Sequence, residues 1–402
     1  MDPRTATRAT VLLIALRIGY AYNWFDTGPG LPAIGSTFSV GTADLGLLVA
    51  AFLVGAGLLQ VPAGLLSLRW GARSVSIAGV GLLAVAGAAS AAAPTFPVLV
   101  ALRLLAGAGA GLFFSPAIGL VASLYPAGHR GLPVGTFSSA FSAGAALGIV
   151  GSSALVPAIG WRAALLVGGL PLAVLALAAL ALIPARAGAA PPPLPRRGLP
   201  SALRHPAVWA IGFAFVGLEG ASFATGQFIV PWGEALQGWS ILLAGAVGMT
   251  FVFPSVFGGP VGGSIAERHT NHRTQFALAV VGGAALLALL PWAGLAATVL
   301  IGLGFSFAYG FVYAVMYVLP HFWRDLPPNE VPLAIGLFNS IQLSGGAAVA
   351  FAFAWVVGAR SYDVGWEFLA AAMVASLLVL VALRPTVGPA ADPPGAAALA
   401  PR

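Results

Sequence analysis

Four ionisable side chains fall inside long apolar stretches of this 402-residue chain: Arg17, Asp26, Arg103 and Glu219. A charge at the centre of a hydrocarbon layer costs at least ~2.5 kcal/mol, so such a group keeps a partner or lines a wet cavity. The chemistry open to this set is reversible ion pairing, anion recognition and proton loading. Covalent catalysis lacks its parts. All 18 basic residues are arginine and there is no cysteine, which removes the P-loop lysine, thiolate nucleophiles and sulfur-ligated clusters. The five histidines (His129, His205, His269, His272 and His321) each stand beside an Arg or Pro in expected loops. His269 and His272 are three apart with no third ligand nearby, so no metal, no cofactor and no enzymatic activity are expected.

Spacing relates the four charges to one another. At ~1.5 Å per residue, Asp26 lies in the outer half of the first apolar stretch. Arg103 is near the outer end of the fourth, which runs the opposite way, so the two depths agree. They read as a pair that forms in one state and separates in another, or as a permanent packing pair. Arg17 is near the inner end of the first stretch: a cation for an anionic ligand, or an arginine that snorkels to the headgroups. Around that helix Tyr20, Asn23 and Thr27 share one arc, flanked by Arg17 and Asp26, so about half its circumference is polar and it is expected to line a pathway.

Glu219 is near mid-depth of the seventh stretch, with Ser222, Phe223, Gly226 and Gln227 on the same face. Burial favours the neutral form of a carboxyl, which suits reversible proton loading; a permanently protonated Glu is the other reading. Ser138 with Ser142, and Asn339 with Gln342, share faces of equivalent helices, a pattern common for interhelical hydrogen bonds. Tyr309, Tyr313 and Tyr317 form an i, i+4, i+8 stripe that suits packing, an interfacial belt or stacking on a ligand.

The elements that must position these groups are spanning helices. Hydrophobic residues make up 59% of the chain and charged residues 7%, with a mean hydropathy of +0.96. Soluble domains carry roughly 25% charge. Apolar runs of about 20 residues, the length of a spanning helix, predict an all-α integral membrane protein with twelve transmembrane helices. They fall near 10–34, 42–67, 74–93, 97–123, 131–157, 161–184, 206–233, 239–265, 274–292, 295–320, 331–357 and 364–384. The runs are continuous rather than alternating, which excludes a β-barrel, and no cleavable signal peptide precedes the first. The Pro- and Arg-rich stretch 185–204 reads as a cytoplasmic linker between six-helix bundles at 1–184 and 205–384, and 385–402 as a disordered tail. With both termini cytoplasmic, fourteen arginines face inward and only Arg162 and Arg360 outward, which satisfies the positive-inside rule. That distribution accounts for the net charge of +7 without a nucleic-acid partner.

The bundles look like copies. A shift of 199 superposes Pro32 on Pro231, Gly46 on Gly245, Gly64 on Gly263, Arg69 on Arg268 and Gly111 on Gly310; a shift of 201 superposes Gly135 on Gly336, Phe137 on Phe338 and Gly144 on Gly345. Internal repeats of this kind mark two-bundle transporters.

Three motifs carry a family likeness. One is the loop Gly64-Leu-Leu-Ser-Leu68-Arg69-Trp-Gly71-Ala-Arg73, with its second copy Gly263-Ser-Ile-Ala-Glu267-Arg268. The others are Arg103-Leu-Leu-Ala-Gly107-Ala-Gly109-Ala-Gly111 and Asn23-Trp-Phe-Asp26. Over essentially its whole length the chain resembles the major facilitator superfamily. In that family the loop gates between inward- and outward-facing states, which the resemblance carries to Gly64, Arg69, Arg73, Gly263, Glu267 and Arg268. Here Leu68 replaces the acid of the first copy, and the second lacks the trailing Gly. The third motif is similar to an Asn-x-x-Asp-Arg pattern of many organic-anion members, with Thr27 in place of Arg. The Gly144–Gly148 stretch falls near the family's antiporter motif without its proline.

The expected protein is a secondary active transporter. It moves a small organic anion or polar metabolite by alternating access, coupled to protons, and works as a monomer in the cell membrane. The pathway is expected to use Arg17, Tyr20, Asn23, Asp26, Arg103, Glu219, Gln227, Tyr309, Tyr313, Asn339 and Gln342. The main alternative is a multidrug/proton antiporter exporting lipophilic compounds, suited by 24 Phe and 10 Trp. A membrane-embedded enzyme fits less well, because no intramembrane His, Cys or Lys exists; a channel or scaffold is a further alternative that saturable flux with counterflow would exclude.

Overall fold

Hydrocarbon offers no hydrogen-bond partner to a peptide group, so apolar runs of this length must close their backbone bonds internally as helices. The computed structural model describes residues 3–126, 129–185, 187–188, 201–268, 271–323, 326 and 330–382; its described elements are all helical. The linker positions 189–200 and the tail from 383 lie outside the described residues.

Helix α1 (Pro3–Phe25) ends at a Gly28–Gly30 turn and is followed by the short α2 (Leu31–Phe38). Pro29 cannot donate a backbone hydrogen bond, and it breaks the stretch expected to be continuous over 10–34. Asp26 therefore lies in a turn, not within a helix. Then come α3 (Thr42–Trp70), α4 (Ala72–Ala89), α5 (Phe96–Ser123) and α6 (Gly131–Leu182). At 52 residues, α6 would be about 78 Å long, over twice a hydrocarbon core. It bends at Gly160, whose φ of 79° is open mainly to glycine, and so supplies two crossings.

The second half comprises α7 (Pro206–Gln237), α8 (Ile241–Gly248), α9 (Ser255–Arg268), α10 (His272–Ala288), α11 (Leu295–Val318), α12 (Val331–Ala359) and α13 (Tyr362–Ala382). The run expected over 239–265 is interrupted before Pro254, and Ser306 Oγ takes the freed Ser255 N–H at 3.0 Å. By length and composition ten described helices can cross a membrane. With α6 counted twice and the more polar α1 added, this is consistent with twelve crossings.

The two-fold repeat extends to contacts. A Cβ on Gly111 would collide with Ala56 O, and one on Gly310 with Ser255 O, so glycine brings α5 against α3 and α11 against α9 at positions 199 apart. Arg73 Nη2 donates to Leu180 O at 2.6 Å. Arg273 Nη2 donates to Leu380 O, the same bond 200 residues later.

The two halves meet along α3–α12 and along α6 with α8 and α9, and both seams are tight at one end only. Gly46, Gly57 and Gly64 lie on one face of α3: a Cβ would strike Ala354 at the first and Ser344 at the second, but has open space at the third. On α6, Ser153 faces Gly245 and Ser142 Oγ lies 2.7 Å from Ser255 Oγ, while Gly135, on the same face, again meets nothing. The splayed end is the one bearing Arg69, Arg130 and Arg268.

Near that end Glu330 Oε2 accepts Ser201 Oγ–H at 2.6 Å and Ala202 N–H at 2.8 Å. The Ser201 hydroxyl, with these amides, holds its carboxyl below the usual value of 4.5. The tether is thus complete above the ordinary glutamate range and is lost as pH falls through the lowered folded-state value. In hydrogen exchange at neutral pH, Ala202 should be protected in the native chain and exchange faster in Glu330→Gln. Gly107→Ala should lower thermal stability by about 1–3 kcal/mol, because its Cβ would collide with Phe52 O. Gly64→Ala should leave the melting temperature unchanged.

Candidate functional site

Two polar centres form, one inside the first half and one between the halves. In the first, Arg103 on α5 reaches across to the turn after α1, with Nη1 3.0 Å from Asp26 Oδ1. The pair is closed in, with Arg103 1% and Asp26 2% exposed. Asp26 Oδ2, Arg103 Nε and Nη2 and Asn23 Oδ1 have no hydrogen-bond partner, so the network is only partly satisfied. Asn23 Nδ2 donates to Gly19 O and Gly168 O. This faces Asn23 into the first half against α6. The expected pairing of Asp26 with Arg103 is present in the structure, behind α1 and away from the central cavity.

The second centre lies between the halves. A small cavity of about 20 Å³ is walled by Trp24, Phe25, Phe141, Phe223 and Phe251, with Glu219, Ser222, Ser255 and Tyr309 as its polar groups. Tyr309 on α11 donates its hydroxyl to Glu219 Oε2 on α7 at 2.9 Å. The tyrosine stripe continues as hydrogen bonds: Tyr313 and Tyr317 hydroxyls are 2.8 Å apart, and Tyr317 donates to Asn339 Oδ1 at 2.7 Å. Gln342 Nε2 donates to the same oxygen at 2.5 Å. These residues thus make one polar strip along α11 and α12.

Arg17 does not snorkel. It is 5% exposed and sits among four rings, with its guanidinium carbon 4.3 Å from the Phe114 centroid, 4.6 Å from Tyr20, 4.8 Å from Phe141 and 5.6 Å from Phe137. Its Nε and Nη1 have no hydrogen-bond partner, and no described carboxylate pairs with it. Desolvated cation–π contacts stabilise such a group by roughly 2 kcal/mol, which does not replace a counter-ion.

Above the cavity, Gln227 closes the tight end. Its Nε2 donates to Trp24 O at 2.6 Å and its Oε1 accepts from Thr27 Oγ1 at 3.2 Å. The residues expected in gating loops lie on helix ends: Gly64 and Arg69 on α3 and Gly263 and Arg268 on α9, with both arginines exposed and both glycines facing open space, while Arg73 on α4 caps the end of α6 through Leu180 O and Ile183 O. The side chain of Glu267 lies outside the described residues. Sequence reasoning missed the aromatic walls, Phe141 and Trp24 above all. Their one signal was proximity to polar positions, and that does not single them out among so many apolar neighbours.

A doubled helical bundle that splays at one end around a central cavity defines a multi-pass membrane protein of the transporter class. The model of the Major Facilitator Superfamily matches residues 13–350, and the chain belongs to that family. It is 33% identical over 153 residues to the 4-hydroxybenzoate transporter PcaK of Pseudomonas aeruginosa, a match covering 38% of this chain and 34% of that protein. It is 30% identical over 273 residues to the chloramphenicol resistance protein of Streptomyces lividans, covering 66% and 67%. In fold it is similar to an inward-facing, occupied bacterial homologue of the human lysosomal transporter Spinster, with a TM-score of 0.73 at 17% identity, covering 95% of this chain and 96% of that one.

Removing one member of a buried ion pair leaves the other uncompensated, at about 3–5 kcal/mol. Asp26→Asn and Arg103→Gln should each lower the melting temperature strongly. The double variant should recover most of the loss, as read in a thermal double-mutant cycle.

Proposed function

We propose that this protein is a secondary active transporter that moves a small organic anion by alternating access, with Glu219 as the reversible proton carrier and Arg17 as the positive charge. The observation that carries this reading is a buried carboxyl lining one inter-half cavity, with a buried guanidinium that has no described carboxylate partner packed on Phe141 of the same lining. The carboxyl comes from α7 of one half and the guanidinium from α1 of the other. When Glu219 is neutral, its region of the cavity holds no net charge and Arg17 can accept an anion. When Glu219 is ionised, Tyr309 stabilises it through a charge-assisted hydrogen bond.

The positive-inside distribution of arginine supports cytoplasmic termini, so the splayed end opens inward and Gln227 seals the outer side. In the opposite state the seams would close at Gly64 and Gly135 and open at Gly46 and Ser153, two small-residue faces that permit either contact. The bundles 1–184 and 205–384 would rock as units about the 185–204 linker, with the protein acting as a monomer. Asp26–Arg103, enclosed within one bundle, serves this motion as a brace that keeps α1 and α5 together. The 4-hydroxybenzoate transporter among the relatives supports an anionic substrate. A second reading, proton-driven export of lipophilic compounds, is favoured by the aromatic walls and by the broader match to a chloramphenicol resistance protein.

In proteoliposomes, uptake of 4-hydroxybenzoate should saturate and respond to a proton gradient. Glu219→Gln should abolish gradient-driven accumulation while counterflow exchange persists, because the neutral amide keeps the loaded-state charge but cannot release a proton. Accumulation by that variant would refute the proton role, and movement of chloramphenicol without 4-hydroxybenzoate would favour the second reading.

A further inference from the structure

Of the four rings packed around Arg17, one also lines the cavity. Phe141 lines the cavity and also lies 4.8 Å from the Arg17 guanidinium. It touches the cavity aromatics edge-on, with its ring 5.6 Å from Trp24 at 84° and 6.5 Å from Phe25 at 68°. Its backbone is held in place. The neighbouring Ser142 is hydrogen-bonded to Ser255 across the seam, and one turn on, a Cβ on Gly144 would collide with Ile18 O, beside Arg17. With α6 fixed on both sides, rotation of the Phe141 side chain would open a path from the cavity to Arg17.

Charge counting narrows what would follow that path. Asp26 is matched by Arg103, and Glu219 is held by a neutral phenol. Arg17 is left with one positive charge and two unused donor nitrogens. One carboxylate satisfies both; a second carboxylate would sit against Phe and Trp rings with no cation to meet it. The remaining walls, Trp24, Phe25 and Phe223, present ring faces and edges suited to stacking on a flat group.

We propose that Phe141 is a shutter over Arg17, and that the ligand it admits is a monocarboxylate bearing a flat ring, whose carboxylate takes the guanidinium while its ring replaces that of Phe141. This rests on the anion-transporter reading but is tested without transport. The purified full chain is treated with the arginine reagent phenylglyoxal, and modification is read peptide by peptide by mass spectrometry. Arg17 should react slowly in the native protein and several-fold faster in Phe141→Ala and Phe141→Leu, while exposed Arg69 and Arg268 react equally in all three, which reports intact folding. Benzoate should slow Arg17 modification in the Phe141 variants and raise the melting temperature of the native protein. Neutral benzamide and dianionic terephthalate should do neither, and Arg17→Gln should remove the benzoate shift.

Equal Arg17 reactivity in all three proteins would overturn the shutter. Stabilisation by terephthalate or benzamide as large as that by benzoate would overturn the monoanion assignment. Flux that fails in proteoliposomes while masking and benzoate protection persist would remove the transport reading alone.

Discussion

The constraint on which the rest depends is that a charge in hydrocarbon must be matched. Three of the four interior charges obey it by tertiary contact: Asp26 with Arg103, and Glu219 with the Tyr309 hydroxyl. Arg17 does not, and its four surrounding rings are a partial substitute for an anion. A closed ion pair at the turn after α1 and a cation without a described carboxylate partner on α1 itself therefore lie in one segment, nine residues apart.

Glycine makes the surrounding structure possible. Helices in a bilayer gain little from burying apolar side chains against one another, so close packing and interhelical hydrogen bonds hold them. At Gly107, Gly111, Gly144 and Gly310 the absent Cβ lets backbones touch, and these contacts set the rotation of α1, α5, α6 and α11 about their axes. Along the seams between halves, small residues serve a second purpose. They fit tightly where the halves meet and leave open space where they part.

How much of the site was legible depended on the kind of information each residue carries. The Asp26–Arg103 pairing followed from depth alone, because helical rise converts sequence position into distance along the membrane normal. The contact of Asn23 with α6 was not legible, because an arc on one helix does not say which neighbour that arc faces. Continuity of the first helix failed at Gly28-Pro29-Gly30, where overall apolarity concealed a turn. The tyrosine stripe was seen as a pattern, but its hydrogen bonds to Glu219 and Asn339 needed α7 and α12 beside it.

By itself the sequence determined that the chain spans a membrane, roughly where its helices run, that its two halves repeat, and which end gathers the arginines. Those properties follow from local hydropathy and from residues counted along the chain. Only the tertiary structure decided that the seams close at the end opposite the arginines, that Glu219 borders a cavity between the halves, and that Phe141 lines that cavity and also packs on Arg17. Such facts depend on how each helix is rotated and which helix lies against it. Among 24 phenylalanines of similar hydropathy, nothing local distinguishes the one placed over a cation.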